Sequence, residues 1–199
     1  MKLLTLVTST LTALAAAAPA SASAPDAVAD AANAFRVMAL RTGSNIHFLP
    51  MQARGSKFWL GGLPATYCPT MVENCPPGNE TVILGSSALY VEVPGGQILY
   101  VTQEGELGFT RAHSTYIPPG AAIGGFEHVP GEPYGQWSFK GFGADGFMAC
   151  PDNAENPSSW QVFAAMDNAT VPTGNVNDCL GFTAAAVPYN GSFAAWQYI

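Results

Sequence analysis

The chain has 199 residues, 48% of them hydrophobic and only 11% charged, with seven Lys and Arg against fourteen Asp and Glu for a formal net charge of −7. That is enough apolar material for one core and too much for a disordered chain. The acidic balance argues against nucleic acid or anionic lipid as a partner.

Reading from the N-terminus, Lys2 precedes an apolar run over residues 3–18 and then a string of small residues, the layout of a cleavable secretory signal. The signal is assigned to residues 1–22, with cleavage between 18 and 24. Ala18 and Ala22 are the open cut points, Ala20 and Ala22 forming an A-x-A pattern, whereas Pro25 disfavours a cut after Ala24. A signal-anchor reading fails because the run is barely long enough and dissolves into Pro and Ser. The last nine residues have no polar spacer followed by an apolar tail, so a GPI anchor is not expected. Residues 23–34 read as a short leader tail, with the one helical candidate in the Ala-rich stretch 26–34.

From residue 35 on, the pattern is that of strands. Residues 35–41, the Gly43-Ser44-Asn45 turn and residues 46–49 read as a hairpin, and 57–60 as a further strand. Residues 89–93 and 97–101 flank Pro94-Gly95-Gly96, a second hairpin with glycines suited to positive φ. Gly105 breaks the chain before a strand at 107–110. Later strands are expected at 136–140, at 147–150 after an Asp145-Gly146 turn, at 160–164 and at 180–183. Residues 117–135, rich in Pro and Gly, read as a long loop. Hairpin-like blocks near Phe35, Leu89 and Trp137 recur about every fifty residues. The fold class is therefore all-β: a single compact domain over 35–199 of short antiparallel strands, β-trefoil-like or a β-sandwich or barrel, stabilised by disulfides.

Four cysteines, Cys68, Cys75, Cys150 and Cys179, remain after signal removal. An even number in an oxidising route implies disulfides, with three pairings open. Cys68 with Cys75 and Cys150 with Cys179 is preferred, since the first two flank a short Pro/Gly-rich loop and the second two bracket one block. No C-x-x-C pair occurs, and His47, His113 and His128 lie far from these cysteines in sequence, so no metal site is expected. Three acceptor triplets, at Asn79, Asn168 and Asn190, mark surface loops in a glycoprotein.

Catalytic machinery is not legible. The chain has no G-x-S-x-G elbow, H-E-x-x-H, P-loop or dinucleotide fingerprint. The carboxylates Glu104 and Glu106, and Asp145, Asp152 and Glu155, are the only candidates for glycoside hydrolysis, and they read as solvated turn residues. His47 alternates with apolar neighbours and is expected to point outward from a strand; His113 and His128 lack an identifiable partner. Trp59, Trp137 and Trp160 lie in strand-like runs and are expected in the core. Phe126 and Tyr134 in the long loop, and Trp196 near the C-terminus, are the candidate glycan contacts.

The ordered series Trp137-Ser138-Phe139, Ala149-Cys150-Pro151, residues 160–164 and Asp178-Cys179-Leu180-Gly181-Phe182 resembles the fungal cell-wall protein PhiA family, some of whose members are IgE-binding antigens. Residues 37–44, 97–101 and 108–110 share in it, and the likeness spans roughly 35–187. The chain departs from that family's pattern in having no cysteine at the start of the mature segment or near its end, and Cys75 stands as a local replacement. The resemblance implies a secreted, non-catalytic wall protein linked to conidiophore and spore development, with no cofactor. A wall polysaccharide or wall glycoprotein is the expected partner. The alternatives are a secreted glycan-binding module or effector, and a small glycan hydrolase.

Overall fold

A computed structural model describes residues 33–199. The signal peptide assigned to 1–22 and most of the tail at 23–34, with its helical candidate, lie outside the described residues; Ala34 opens the first strand.

Alternation sets that strand. In β1 (Ala34–Leu40) Phe35, Val37 and Ala39 are buried and Arg36 is exposed, the period of a pleated ribbon. The strands that follow are short: β2 (Met51–Arg54), β3 (Lys57–Leu60), β4 (Thr66–Tyr67), β5 (Ile83–Leu84), β6 (Ala88–Leu89), β7 (Leu99–Val101), β8 (Leu107–Phe109), β9 (Phe126–Val129), β10 (Gly135–Gly141), β11 (Ala144–Asp145), β12 (Phe147–Pro151), β13 (Trp160–Ala164), β14 (Leu180–Pro188) and β15 (Gln197–Tyr198). All pairings between these strands are antiparallel.

The main sheet runs β6-β5-β1-β14-β12-β13-β3-β8-β7. Its two ends meet, because Ala88 bridges Ile98, Leu89 N–H donates to Gln97 O at 2.9 Å and Leu99 N–H to Ser87 O at 2.8 Å. The sheet therefore closes into a ring, the one arrangement that leaves its path no free edge. Closure decides among the arrangements that short strands left open. The fifty-residue spacing does not organise it: the block at Phe35 turns back only briefly, with Ala39 N–H donating to Leu49 O at 3.0 Å, Phe48 N–H to Ala39 O at 2.8 Å and Met38 bridging Pro50, and the long partner of β1 is β14, Arg36 opposite Val187.

β14 is the spine. One edge is paired with β1 over residues 183–188; the other is shared, residues 180–182 with β12 and residues 184–186 with β10. Ala184, Ala185 and Ala186 are all buried. Alanine favours helix, and here pairing on both edges overrides that preference, which is why the strand extends past the expected 183. The core is aromatic. Trp137 is 1% exposed and stacks on Phe126 at 5.6 Å and on Phe147 at 4.4 Å, while its Nε1 donates to Ser86 O at 2.9 Å.

Four local expectations are corrected. Residues 46–49 form turns rather than a strand, with Ile46 fully buried. Residues 89–93 leave the second hairpin after Leu89: Tyr90 N–H turns to Val82 O, and Glu92 and Val93 N–H donate to Ala195 O and Trp196 O. The tight turn after β10 is Phe142-Gly143, and Asp145-Gly146 is where β11 bends into β12. The long loop contains β9, whose Phe126 lies opposite Phe139 in the register.

Both preferred disulfides are present, Cys68–Cys75 and Cys150–Cys179, with sequence separations of 7 and 29. Cys150 is fully buried, so the longer link ties β12 to the start of β14 through the core. On the chain-entropy account the longer loop is worth about 3.5 kcal/mol and the shorter about 2.5 kcal/mol.

Candidate functional site

β10 alternates cleanly: Trp137 and Phe139 point into the core, while Gln136 and Lys140 are exposed and Ser138 half-buried. Register places Val129 beside Gln136, Glu127 beside Ser138 and Asp145 beside Lys140. One outward face thus gathers an amide, a hydroxyl, an ammonium and two carboxylates.

The same face holds a cleft of about 360 Å³. It opens at the fork where β12 and β10 part to share β14, so Phe147 and Phe182 line one side and Thr183 and Ala184 the base. Lys140 Nζ lies 2.9 Å from Glu127 Oε2. That hydrogen bond raises the Lys140 pKa first, the Glu127 charge adds to it, and Asp145 contributes. Lys140 is therefore a permanent cation set between carboxylates.

Exposed aromatics flank the strip. Tyr134, just before β10, is 47% exposed, and Phe142, just after it, is 42% exposed. Eight residues at about 3.3 Å each separate them by about 26 Å. Phe142 and Gly143 carry φ of 53° and 85°, as a two-residue type I′ hairpin turn requires. Asn or Gly is usual at the first of these positions, and a bulky side chain in the left-handed region costs about 1–2 kcal/mol. Residues held in such strained conformations cluster at active sites and ligand clamps, and Phe48, 60% exposed at φ 66°, shares the combination.

The expected contacts fare unequally. Tyr134 is exposed next to the start of β10, outside the cleft lining. Phe126 is not available to a ligand: it is 8% exposed, stacked on Trp137 and in tilted contact with Phe139, because its loop contains a strand that turns it inward. Trp196 is half-buried against the core. Of the tryptophans expected inside, Trp137 and Trp160 are buried and Trp59 is half-buried under Arg54, 5.2 Å from the ring centre. Asn79, Asn168 and Asn190 are all exposed outside strands. Thr81 of the first triplet is buried, its Oγ1 accepting from Ala53 N–H at 2.8 Å. Phe142 escaped sequence reasoning; the flanking Gly141 and Gly143 were the signal that could have found it.

Of the other carboxylates, Glu106 and Asp152 are tied to the fold and Glu104 and Glu155 face solvent. Glu104 is exposed, and Glu106 is bound by Lys57 at 2.5 Å and Gln161 at 2.9 Å. Asp152 accepts from the Ser158 and Ser159 backbone and from the Ser158 hydroxyl, which hold its carboxyl well below the usual range. Glu155 is exposed in the same loop. His47 sits in a turn, not on a strand; its Nδ1 accepts from Arg41 N–H and its ring stacks on Phe48 at 3.8 Å. His113 is exposed with φ of 59°. His128 stacks on Phe35 at 4.0 Å, and burial lowers its pKa. Among the described residues no three His, Cys, Asp or Glu come together as metal ligands.

The family model described as "PhiA-like secreted protein" matches residues 35–199. An "Uncharacterized secreted protein" of Arthroderma benhamiae is 53% identical over 157 residues, covering 77% of this chain and 80% of that protein. No solved structure matches.

Proposed function

Since the chain belongs to the PhiA-like secreted protein family and is a secreted protein, we propose that it is a non-catalytic component of the fungal cell wall. It holds wall polysaccharide on the outward face of β9–β11, in the setting of conidiophore and spore development that the family resemblance implies. The observation that supports this reading is the polar strip between two exposed aromatics, one of them kept in the open by a costly backbone conformation. A sugar chain presents hydroxyls along its edges and C–H faces on its rings, and the strip offers donors and acceptors between two aromatic platforms.

Hydrolysis is the weaker reading. A glycosidase needs one carboxyl in a desolvated setting to act as acid. Glu127 is half exposed and ion-paired with Lys140, and Asp145 is exposed.

The test is retention of the purified secreted protein on chitin, β-1,3-glucan and mannan, in low and high salt. Salt-resistant retention on one polymer is expected, reduced about fivefold or more in Y134A and in F142N, a loss of about 1 kcal/mol for one aromatic contact. No retention on any polymer, or unchanged retention in the double variant, overturns the proposal.

A further inference from the structure

Basic side chains are scarce in this chain, and the fold uses nearly all of them. The described residues contain six: Arg36, Arg41, Arg54, Lys57, Arg111 and Lys140. Arg36 pairs with Glu80, Lys57 with Glu106 and Lys140 with Glu127. Arg41 donates to Gly181 O, and Arg54 to Gly61 O while lying over Trp59. Among the described residues, Arg111 alone has a guanidinium with neither an ion pair nor a side-chain hydrogen bond.

Its surroundings are built to present it. Arg111 is exposed at the start of a turn in which its own carbonyl accepts from Ser114 N–H at 3.2 Å. It lines a cleft of about 480 Å³ with Ser56, Tyr100, Ser114 and Tyr116, and the adjoining cleft past Ser56 and Gln197, about 440 Å³. Tyr100 is fixed as one wall. Its ring lies over Gly108, where an added Cβ would stand 2.7 Å from the ring atoms, so the strand has room for this tyrosine only because residue 108 has no side chain. Tyr116 is 68% exposed. Ser114 Oγ already accepts from Tyr116 N–H at 3.1 Å, which leaves its O–H free to donate. Burial, with help from Glu106, raises the Tyr100 pKa and keeps its hydroxyl a donor.

The cleft therefore offers donors, namely a guanidinium, a serine hydroxyl and a tyrosine hydroxyl, beside an open aromatic face. Acceptors on a ligand answer donors, and the planar guanidinium fork answers a planar carboxylate best. A polyanion would be repelled by a chain of net charge −7, so a single negative charge on an otherwise neutral body fits best. We propose that this cleft binds an acidic sugar, a hexuronate unit, with its carboxylate on Arg111 and its ring against Tyr116. The site lies on residues different from those of the β9–β11 face and stands independently of the proposal made there.

The test is an NMR titration of the full mature protein with sodium glucuronate, glucose and sodium acetate, following backbone amides. Saturable shifts at residues 111–116 with glucuronate are expected, with glucose and acetate each about tenfold weaker or more. R111Q should remove glucuronate binding by at least the same factor, and Y116A should weaken glucuronate without altering the acetate response. Both side chains are exposed, and an unchanged urea midpoint checks that the variants fold. Equal binding of glucose, equal binding of acetate, absence of shifts, or unchanged binding by R111Q overturns the proposal. Neutral-polymer retention does not bear on it, so the two proposals fail separately.

Discussion

Two regions of this protein treat polar groups in opposite ways. Where β15, paired with β4 in a separate two-stranded sheet, packs beside the ring, Gln97 and Tyr198 are buried and paired. Gln97, 1% exposed, receives Tyr198 N–H on its carbonyl at 2.8 Å and donates to Tyr198 O at 3.0 Å and Thr110 O at 2.8 Å. The Tyr198 hydroxyl donates to Glu80 O at 2.8 Å and accepts from Val82 N–H at 3.3 Å, and burial drives its pKa far above the ordinary tyrosine value. On the β9–β11 face, polar groups point to water beside apolar rings that pack on little. The first region spends polarity on holding the chain together; the second leaves it facing water. A buried network loses stability when one member is removed, because the remainder stays buried and unpaired, whereas removing a member of an open strip leaves no group buried and unpaired.

The largest effect should come from the first region. Q97L strands three backbone groups in the core, and at about 1 kcal/mol or more for each it should lower stability by about 3 kcal/mol, read as a lower urea midpoint at unchanged slope. A change below about 1 kcal/mol would mean that this network is no lock. On the open face the sign should reverse: F142N relieves the left-handed strain and should raise stability by about 1 kcal/mol while lowering polymer retention. Loss of both together would put Phe142 in the packing and erase the contrast. The smallest effect concerns His128 of β9, stacked on Phe35 with Glu132 lining the same cleft. Burial lowers its folded pKa below the ordinary 6.5. The unfolded chain therefore binds a proton that the folded one resists, and stability should fall as pH drops through about 6.5 toward the folded value. Thermal midpoints between pH 7.5 and 5.5 should show this slope, and H128Q should flatten it.

Where local signals were strong, the sequence was legible. β3 and β13 occupy the expected residues because aromatic and β-branched runs end at clear breakers, and both disulfides pair as preferred. β9 was hidden by the Pro and Gly around it, which is why Phe126 read as a loop aromatic instead of a core one. Of the residues on which the two proposals rest, Tyr134 was named from the sequence, whereas Phe142, Tyr116 and Arg111 were not. Nothing local distinguishes an exposed ring from a buried one, or a free arginine from a paired one.

By itself the sequence determined what acts over a few residues: an all-β chain, a disulfide framework and the family to which the segment from residue 35 belongs. Tertiary structure alone decided the closure of the ring, the division of β14 between β10 and β12, and which polar groups face water. Those depend on partners such as Arg36 and Val187, Gln97 and Tyr198, or Gln161 and Glu106. They stand far apart in the chain, and a side chain's exposure is set by whichever distant strand comes to cover it.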